Sequence, residues 1–264
     1  MRYDKIATVT DAGLGSRARI GMLVLKTDQT VEFEAAQIIA RVDGVTLHHA
    51  RLYNDFEITR DTLLAMKPLI PDASRLLPVE WGFKSIGYAC TSGAMVIGEG
   101  EVERLVRTVH PRTAVTNPLT GGLAGLTALG CRRIAVLTPY VRAVNDGLVS
   151  ALQARGLQVT AFASYEEPDD NQVGRISVAE IVRASVALAR HDDVDGVFVS
   201  CTSLRTIDAI PAIEAASGKP ATSSNHGMIW HMLRQAGIGE PIGGLGRLFE
   251  HGITPTMHRA AAAE

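Results

Sequence analysis

The sequence contains one short motif twice, and this repeat decides the fold. Residues 86–92 read Ile-Gly-Tyr-Ala-Cys-Thr-Ser, and residues 197–203 read Val-Phe-Val-Ser-Cys-Thr-Ser. Each is a short apolar run bounded by polar residues or glycine, a pattern typical of a fully buried parallel strand. Ligands bind at the carboxyl ends of such strands, so both Cys-Thr-Ser triplets are expected at a ligand site. Cys90 and Cys201 lie almost half the chain apart, which predicts two similar halves that each contribute one thiol.

Strand-like and helix-like segments alternate at least seven times around these two motifs. The predicted strands span residues 20–25, 45–52, 86–90, 113–116, 134–138, 157–162, 197–200 and 221–222. This alternation predicts an α/β fold with parallel sheets and right-handed crossovers. Asn117-Pro118 punctuates the chain, so the predicted halves cover residues 19–117 and 118–224. The C-terminal region 225–250 is expected to return to the first half, and the tail from Gly237 to the Ala-rich end is expected to fray.

Composition excludes several classes of protein. The chain has 264 residues, 46% hydrophobic and 20% charged, as in an ordinary globular protein. A net charge of −2 does not indicate a nucleic-acid partner, and no apolar run reaches the roughly 18 residues of a membrane span. The N-terminus lacks the continuous apolar core of a secretory signal. Three cysteines, an odd number, favour reduced thiols and a cytoplasmic location, and neither Cys-x-x-Cys nor clustered histidines predict a metal site.

The two cysteines can be interpreted as packing residues or as catalysts. A single cysteine at a strand end is more often a packing residue, but two copies in equivalent positions favour chemistry. Hydroxyl groups and the N–H groups at the start of a helix can stabilise an oxyanion and lower a thiol pKa below its usual value of about 8.5. Cys131 lies at a predicted helix end without this context and is interpreted as a bystander. We therefore expect Cys90 or Cys201 to be alkylated much faster than Cys131 at neutral pH.

The motifs of this chain resemble those of the Asp/Glu racemase superfamily. Within it they are similar to the branch of maleate cis-trans isomerases, arylmalonate decarboxylase and the ectoine-utilization protein A family, most of all to the last. The resemblance is carried by residues 19–24, 27–32, 90–98, 138–140, 171–175 and 200–206. It covers about residues 19–240 and implies two pseudo-symmetric α/β domains with the active site in the cleft between them. It also implies a small carboxylate substrate, no metal or organic cofactor, and a homo-oligomer, expected to be a dimer.

The resemblance also assigns roles to individual residues. Cys90 and Cys201 match the two catalytic cysteines of these enzymes. Tyr140 matches a tyrosine that hydrogen-bonds a substrate carboxylate, and Asn171, in a motif with Val173, matches an asparagine that contacts the substrate. The residues that match the cradles for carboxylate oxygens are Thr91, Ser92, Thr202 and Ser203.

Asp28 departs from the maleate isomerase pattern, which has an asparagine in this first strand-to-helix loop. An amide can donate a hydrogen bond to a carboxylate, whereas an ionised aspartate only accepts and would repel a dianion. Amino-acid racemases of the superfamily have an aspartate at a comparable position. Asp28 therefore favours a substrate that carries an ammonium or amide N–H group, and it is also a candidate cap for the following helix.

Paired thiols are suited to inverting or isomerising a carbon next to a carboxylate. One thiolate removes a proton while the opposite thiol delivers another, or a thiolate adds to a double bond and permits rotation. A decarboxylase of this branch needs only one cysteine. The sequence thus predicts a cofactor-independent isomerase or racemase of a small, nitrogen-bearing carboxylate. The alternatives are a maleate cis-trans isomerase, an arylmalonate-type decarboxylase, and a binding protein without turnover.

Overall fold

Two parallel sheets form the core of the protein, which this computed structural model describes for residues 1 and 3–251. The first sheet contains β1 (Ala18–Leu25), β2 (Val45–Leu52), β3 (Ser85–Ala89) and β4 (Ala114–Thr116). The second contains β5 (Arg133–Thr138), β6 (Gln158–Ser164), β7 (Gly196–Val199) and β8 (Ala221–Ser223). Their strand orders are β2-β1-β3-β4 and β6-β5-β7-β8 with parallel pairing throughout, so the second sheet repeats the first. The predicted fold class is confirmed.

Helices cover the faces of both sheets. They are α1 (Val31–Ile39), α2 (Arg60–Ala65), α3 (Ile70–Arg75), α4 (Thr91–Ile97), α5 (Glu99–Arg107), α6 (Pro118–Ala128), α7 (Arg142–Gln153), α8 (Asp170–Val173), α9 (Val178–Ala189), α10 (Ala209–Ser217) and α11 (Ser224–Gln235). Strands β3 and β7 are buried along their whole length, as central parallel strands covered on both faces must be. Within the described part of the chain, no helix is long and apolar enough to cross a membrane.

Two short helices have only weak local signals in the sequence. Helix α4 begins directly after Cys90 and is separated from α5 by Gly98 at φ 97°. Thr-Ser-Gly at the start of α4 has weak helix propensity, so its helicity depends on tertiary packing. Helix α8 lies inside the polar loop and is capped by Asp169, whose carboxylate accepts from the N–H of Asn171.

The expectation that the chain frays from Gly237 onward is wrong as far as His251. Leu245, Leu248 and Phe249 are fully buried, and the Arg234 guanidinium donates to backbone carbonyls of this segment, including that of Phe249 at 3.2 Å. These contacts satisfy polar backbone groups that could not otherwise be buried. The Ala-rich end lies outside the described residues.

Helix α11 connects the two sheets. It follows β8 of the second sheet but packs against β3 and β4 of the first and against α6. The two helices approach so closely that a Cβ on Gly121 would lie 2.6 Å from Met228 Cα, and one on Gly227 would lie 2.8 Å from Gly122 Cα. Each half proposed from the sequence, residues 19–117 and 118–224, contains one complete sheet, and we keep these boundaries as a proposal.

We expect Gly227→Ala to destabilise the protein, because the added methyl group would meet the backbone of α6. Overpacking of this kind costs about 1–3 kcal/mol. The matched control is Gly100→Ala in α5, where a Cβ has nothing within 4 Å and φ is not positive. Since alanine also restricts the unfolded chain, this control should be neutral or stabilising by about 0.4–1 kcal/mol. Urea unfolding measures the free energy of unfolding of both variants. Equal stability of the two would contradict the close contact between α6 and α11.

Candidate active site

A narrow pocket, with a cavity volume of about 30 Å³, lies between the carboxyl ends of the two sheets. Seven of the residues singled out in the sequence line it, three from the first half and four from the second. They are Cys90, Thr91, Ser92, Tyr140, Cys201, Thr202 and Ser203. The other three, Asp28, Asn171 and Val173, are not among the lining residues.

Cys90 ends β3 and caps α4. Its Sγ accepts a hydrogen bond from the Gly93 N–H at 3.2 Å and lies 3.7 Å from Ser92 Oγ. Burial raises the pKa of the Cys90 thiol to about 12, although the Gly93 N–H and Ser92 act in the opposite direction. The sequence-based expectation of a lowered pKa is therefore not met, because loss of solvation outweighs the donors at the helix start.

Cys201 ends β7 in a different way. No helix follows it directly, since α10 begins only at Ala209, and its φ is 129°. A non-glycine residue in this region costs on the order of 1–3 kcal/mol and persists only where surrounding contacts enforce it. Burial is the main cause that raises the pKa of the Cys201 thiol, and the charge of Asp170 adds to it. The two motifs, alike in sequence, thus present their thiols on different backbones.

Ser224 joins the two motifs. Its Oγ accepts from the Cys201 backbone N–H at 2.9 Å and lies 2.8 Å from Thr91 Oγ1. The side chain is fully buried at the first position of α11. One hydroxyl thereby fixes the loop after β3 relative to the loop after β7. Ser224 was not recognised in the sequence, where nothing distinguishes it from an ordinary residue at a helix start.

Tyr140 lines the same pocket as the two thiols and interacts electrostatically with both. Burial raises its pKa well above 10, and the charges of Cys201 and Cys90 add to this effect, so the phenol remains a proton donor at physiological pH. Its backbone carbonyl accepts from Asn145 Nδ2 and Ser164 Oγ, both at 2.6 Å. These bonds hold the residue in place while its side chain lines the pocket.

Asp28 caps α1 and has one unused oxygen. Its Oδ1 accepts from the N–H groups of Thr30 and Val31, both at 2.8 Å. Its Oδ2 is buried and has no hydrogen-bond partner among the described residues. Burial raises the pKa of Asp28 from 3.8 to about 6, while the Val31 and Thr30 N–H groups lower it. Its carboxylate lies next to Thr202, which lines the pocket.

The acid that enters the pocket from the second half is Asp170, which was not singled out in the sequence. Its Oδ2 accepts from Thr27 Oγ1 at 2.5 Å, and its Oδ1 accepts from Ser203 Oγ at 2.6 Å. The neighbouring Asn171 instead accepts from Gln29 Nε2 at 2.9 Å, and Val173 belongs to the core. Residues 169–171 are all polar, so the sequence alone does not show which of them faces the pocket. The phase of α8 determines this.

The loop after β2 closes the pocket. Glu57 forms an isolated antiparallel bridge with Asp169 of the second half. The remaining lining residues on this side are Leu25, Asn54, Asp55, Glu57, Ile58, Thr62, Leu63 and Met66. No arginine, lysine or histidine is among the described residues that line the pocket. Three acids therefore lie along a pocket that contains no cationic side chain. The described residues also include no group of three or more His, Cys, Asp or Glu side chains that could hold a metal ion.

This arrangement defines a cysteine enzyme whose two thiols meet between repeated α/β halves. The chain belongs to the arylmalonate decarboxylase family, whose pattern matches residues 68–249. It is 37% identical to the arylmalonate decarboxylase of Bordetella bronchiseptica over 137 residues, 51% of this chain and 57% of that enzyme. It is 27% identical to the maleate isomerase of Nocardia farcinica over 239 residues, 87% of this chain and 94% of that enzyme.

Solved structures agree with these similarities. A maleate isomerase from Pseudomonas putida with bound maleate has a TM-score of 0.81 at 25% identity, covering 89% of this chain and 98% of that one. A cysteine-to-serine variant of the Nocardia farcinica maleate cis-trans isomerase, with a covalently bound succinylcysteine intermediate, has a TM-score of 0.80 at 25% identity, covering 88% and 98%. The predicted branch of the Asp/Glu racemase superfamily, and an isomerase within it, are confirmed at the level of enzyme class.

We expect Asp170→Asn to increase the alkylation of both pocket cysteines. After burial, the Asp170 charge is a further cause that raises the pKa of Cys90 and of Cys201, so its removal increases the thiolate fraction. Each unit by which the pKa falls gives about tenfold more thiolate, and we expect about a three- to tenfold faster reaction with iodoacetamide at pH 8.

Cys131 is the internal control for this experiment. Burial, followed by the charges of Asp195 and Glu214, raises its pKa to about 12, and Asp170 is not among the causes. Its labelling should not change, and neither should any labelling in the matched variant Asp169→Asn. Peptide mass spectrometry follows each cysteine separately. Unchanged or slower labelling of Cys90 and Cys201 in Asp170→Asn would contradict the electrostatic coupling.

Proposed function

We propose that the protein is a cofactor-independent isomerase or racemase of a small carboxylate, with Cys90 and Cys201 as its reacting thiols. The observation that supports this most directly is that each half contributes one thiol to the same buried pocket. In racemisation, the thiolate of one cysteine takes the proton next to the carboxylate, and the thiol of the other supplies a proton to the opposite face. In cis-trans isomerisation, a thiolate adds to the double bond, the new single bond rotates, and the thiolate leaves.

The pocket supplies donors for a substrate carboxylate. The hydroxyls of Thr91, Ser92 and Thr202 and the phenol of Tyr140 line it, and a buried phenol with a raised pKa remains a donor. We propose these groups as the carboxylate cradle. Asn171 remains a proposed substrate contact from the second half, although its side chain here accepts from Gln29 and does not line the pocket. Hydrogen bonds to an anion that forms during the reaction are worth more inside a buried site than in water.

We further propose that the substrate bears nitrogen, as a resemblance to the ectoine-utilization protein A family suggests. Asp170 lines the pocket, Asp28 lies beside Thr202 with a free oxygen, and no cationic side chain lines the pocket among the described residues. A dianion such as maleate would enter a region of like charge. An ammonium or N–H group would compensate the buried acids and lower the pKa of both thiols, which links substrate binding to thiolate formation.

A maleate cis-trans isomerase is the second candidate, because maleate isomerases are similar over nearly the whole chain. An arylmalonate-type decarboxylase is less well supported, since such an enzyme would need only one of the two thiols. A binding protein without turnover would need neither. We also propose a homo-oligomer, expected to be a dimer, and a cytoplasmic location, because Cys90, Cys131 and Cys201 are all free.

We expect Cys90→Ser and Cys201→Ser each to reduce turnover by at least about 10³-fold, because residues that act as a unit are not replaceable singly. The assay is proton exchange and isomerisation, followed by NMR in D₂O, over a panel of maleate, other small dicarboxylates and amino-acid derivatives. Cys131→Ser, which changes a buried cysteine outside the pocket, should retain full activity. Near-full activity of either pocket variant would exclude the two-thiol mechanism.

We expect Asp28→Asn to change the preference between substrates. Removing one partner of a buried charge-assisted hydrogen bond weakens transition-state binding by about 2–4 kcal/mol. The kcat/KM for the nitrogen-bearing substrate should therefore fall by roughly 30-fold or more. The new amide can donate to a carboxylate, so maleate should bind or react better. The matched control is Asp43→Asn, at an exposed position in the loop before β2. If the wild type already isomerises maleate well and Asp28→Asn changes nothing, Asp28 is only a helix cap.

A further inference from the structure

The segment from Cys201 to Ile207, here called the Cys201 segment, carries a reacting thiol without the support of regular structure. It connects β7 to α10 as turns, and Cys201 itself has the positive φ described above. A backbone of this kind is kept only where contacts from other elements enforce it. Cys90, by contrast, is held locally by the first turn of α4. The contacts of the Cys201 segment therefore decide where its thiol points.

From the first half, Thr30 Oγ1 donates to the Ser203 carbonyl at 2.9 Å, and Glu34 of α1 makes the larger set of contacts with this segment. This side chain is buried, and its Oε1 accepts from the N–H groups of Thr206 and Ile207, the latter at 2.9 Å. Its Oε2 accepts from Thr206 Oγ1 at 3.2 Å and from Asn225 Nδ2 at 2.7 Å. All these partners are neutral donors. In the sequence Glu34 resembles an ordinary acid in the first turn of a helix, yet it reaches across to the second half.

Asn225 extends this network to the residue after the cysteine. Its Nδ2 donates to the Thr202 carbonyl at 2.8 Å as well as to Glu34. The preceding residue, Ser224, accepts from the Cys201 N–H. The Cys201 segment is thus bound at its start through α11, and at its end through Glu34 of α1 and the Ser223 hydroxyl, which lies 2.7 Å from Thr206 Oγ1. Through Asn225, Glu34 contacts both ends of the segment.

We propose that Glu34 is a positioning residue that holds the Cys201 segment, directly and through Asn225, in the conformation that presents the Cys201 thiol to the pocket. The inference rests on the proposed role of Cys201 as a reacting thiol. Glu34 does not line the pocket, so it acts on the geometry of the thiol and not on the substrate. Burial of a carboxyl group without a cationic partner is costly, and burial raises the pKa of Glu34 to about 7. Four hydrogen-bond donors, from Thr206, Ile207 and Asn225, offset this cost only while the Cys201 segment keeps its present conformation.

The test compares Glu34→Gln with its matched control Glu32→Gln on the same helix. Glu32 is partly exposed and pairs with Arg51, away from the Cys201 segment. An amide at position 34 keeps the size of the side chain, but its NH₂ group would face the N–H donors of Asn225 or of the backbone. At least one of the present hydrogen bonds would therefore be lost. We expect kcat to fall on the order of 10- to 100-fold, the cost of misplacing a reacting group by about 1 Å, with KM within about twofold. The labelling rate of Cys201 should change relative to that of Cys90, and Glu32→Gln should match the wild type in both readouts.

If Glu34→Gln does not fold, Asn225→Ala removes the same link from the other side and should show the same loss of kcat and the same change at Cys201. The proposal is overturned if a folded variant keeps kcat within about twofold and labels Cys201 at the wild-type rate, or if only KM rises. Cys201→Ser separates this outcome from a failure of the proposed function. An active Cys201→Ser enzyme refutes the two-thiol mechanism, whereas an inactive one beside a fully active Glu34→Gln enzyme refutes only the positioning role.

Discussion

The close approach of α6 and α11 is the constraint on which the rest of the structure depends. Glycines at the crossing allow the two backbones to touch. A Cβ added to Gly121 would lie only 2.6 Å from Met228 Cα. Since α11 leaves the second sheet and packs on the first, this crossing fixes the distance between the sheets. It also places Ser224, at the start of α11, where one hydroxyl reaches both Thr91 and the Cys201 N–H. Two strand ends that are remote in sequence therefore share one pocket because two helices pack without side chains between them.

The second determinant is electrostatic. Burial and the carboxylates of Asp170 and Asp28 raise the pKa of both thiols, so the protein by itself favours protonated cysteines. The thiols of such a site react slowly with electrophiles until something compensates the negative charge around them. A substrate with a cationic or N–H group would do so at the position where the reaction takes place. The same charge compensation would then select the substrate and increase the thiolate fraction. In a site where the N–H groups of a helix start alone stabilise the thiolate, these two effects are separate.

The sequence predicted the architecture well because the repeated apolar runs and the alternation of strands and helices are local patterns. Buried runs before Cys90 and Cys201 reveal central strands, and the alternation of elements reveals parallel sheets. It predicted the pocket less completely. Asp170, which precedes Asn171 and lines the pocket, was not recognised, because residues 169–171 are all polar and only the one-turn helix α8 determines which of them faces the pocket. Glu34 was missed because its partners lie more than 170 residues away in sequence, and no local pattern reports such contacts. Ser224 was missed because its partners, Thr91 and the Cys201 N–H, belong to other elements, 133 and 23 residues away. The lowered thiol pKa was expected from the helix start, whereas burial, which the sequence does not quantify, has the larger effect.

The two copies of Cys-Thr-Ser have diverged in conformation while remaining identical in sequence. Cys90 begins a helix and accepts the Gly93 N–H, so a thiolate there is stabilised by its own turn. Cys201 has no helix, a positive φ and a backbone held by Ser224, Asn225 and Glu34. Cys90 is therefore held by the first turn of α4, whereas the backbone at Cys201 is held by contacts from other elements. The pseudo-symmetry of the fold therefore does not extend to the backbone that presents the two thiols.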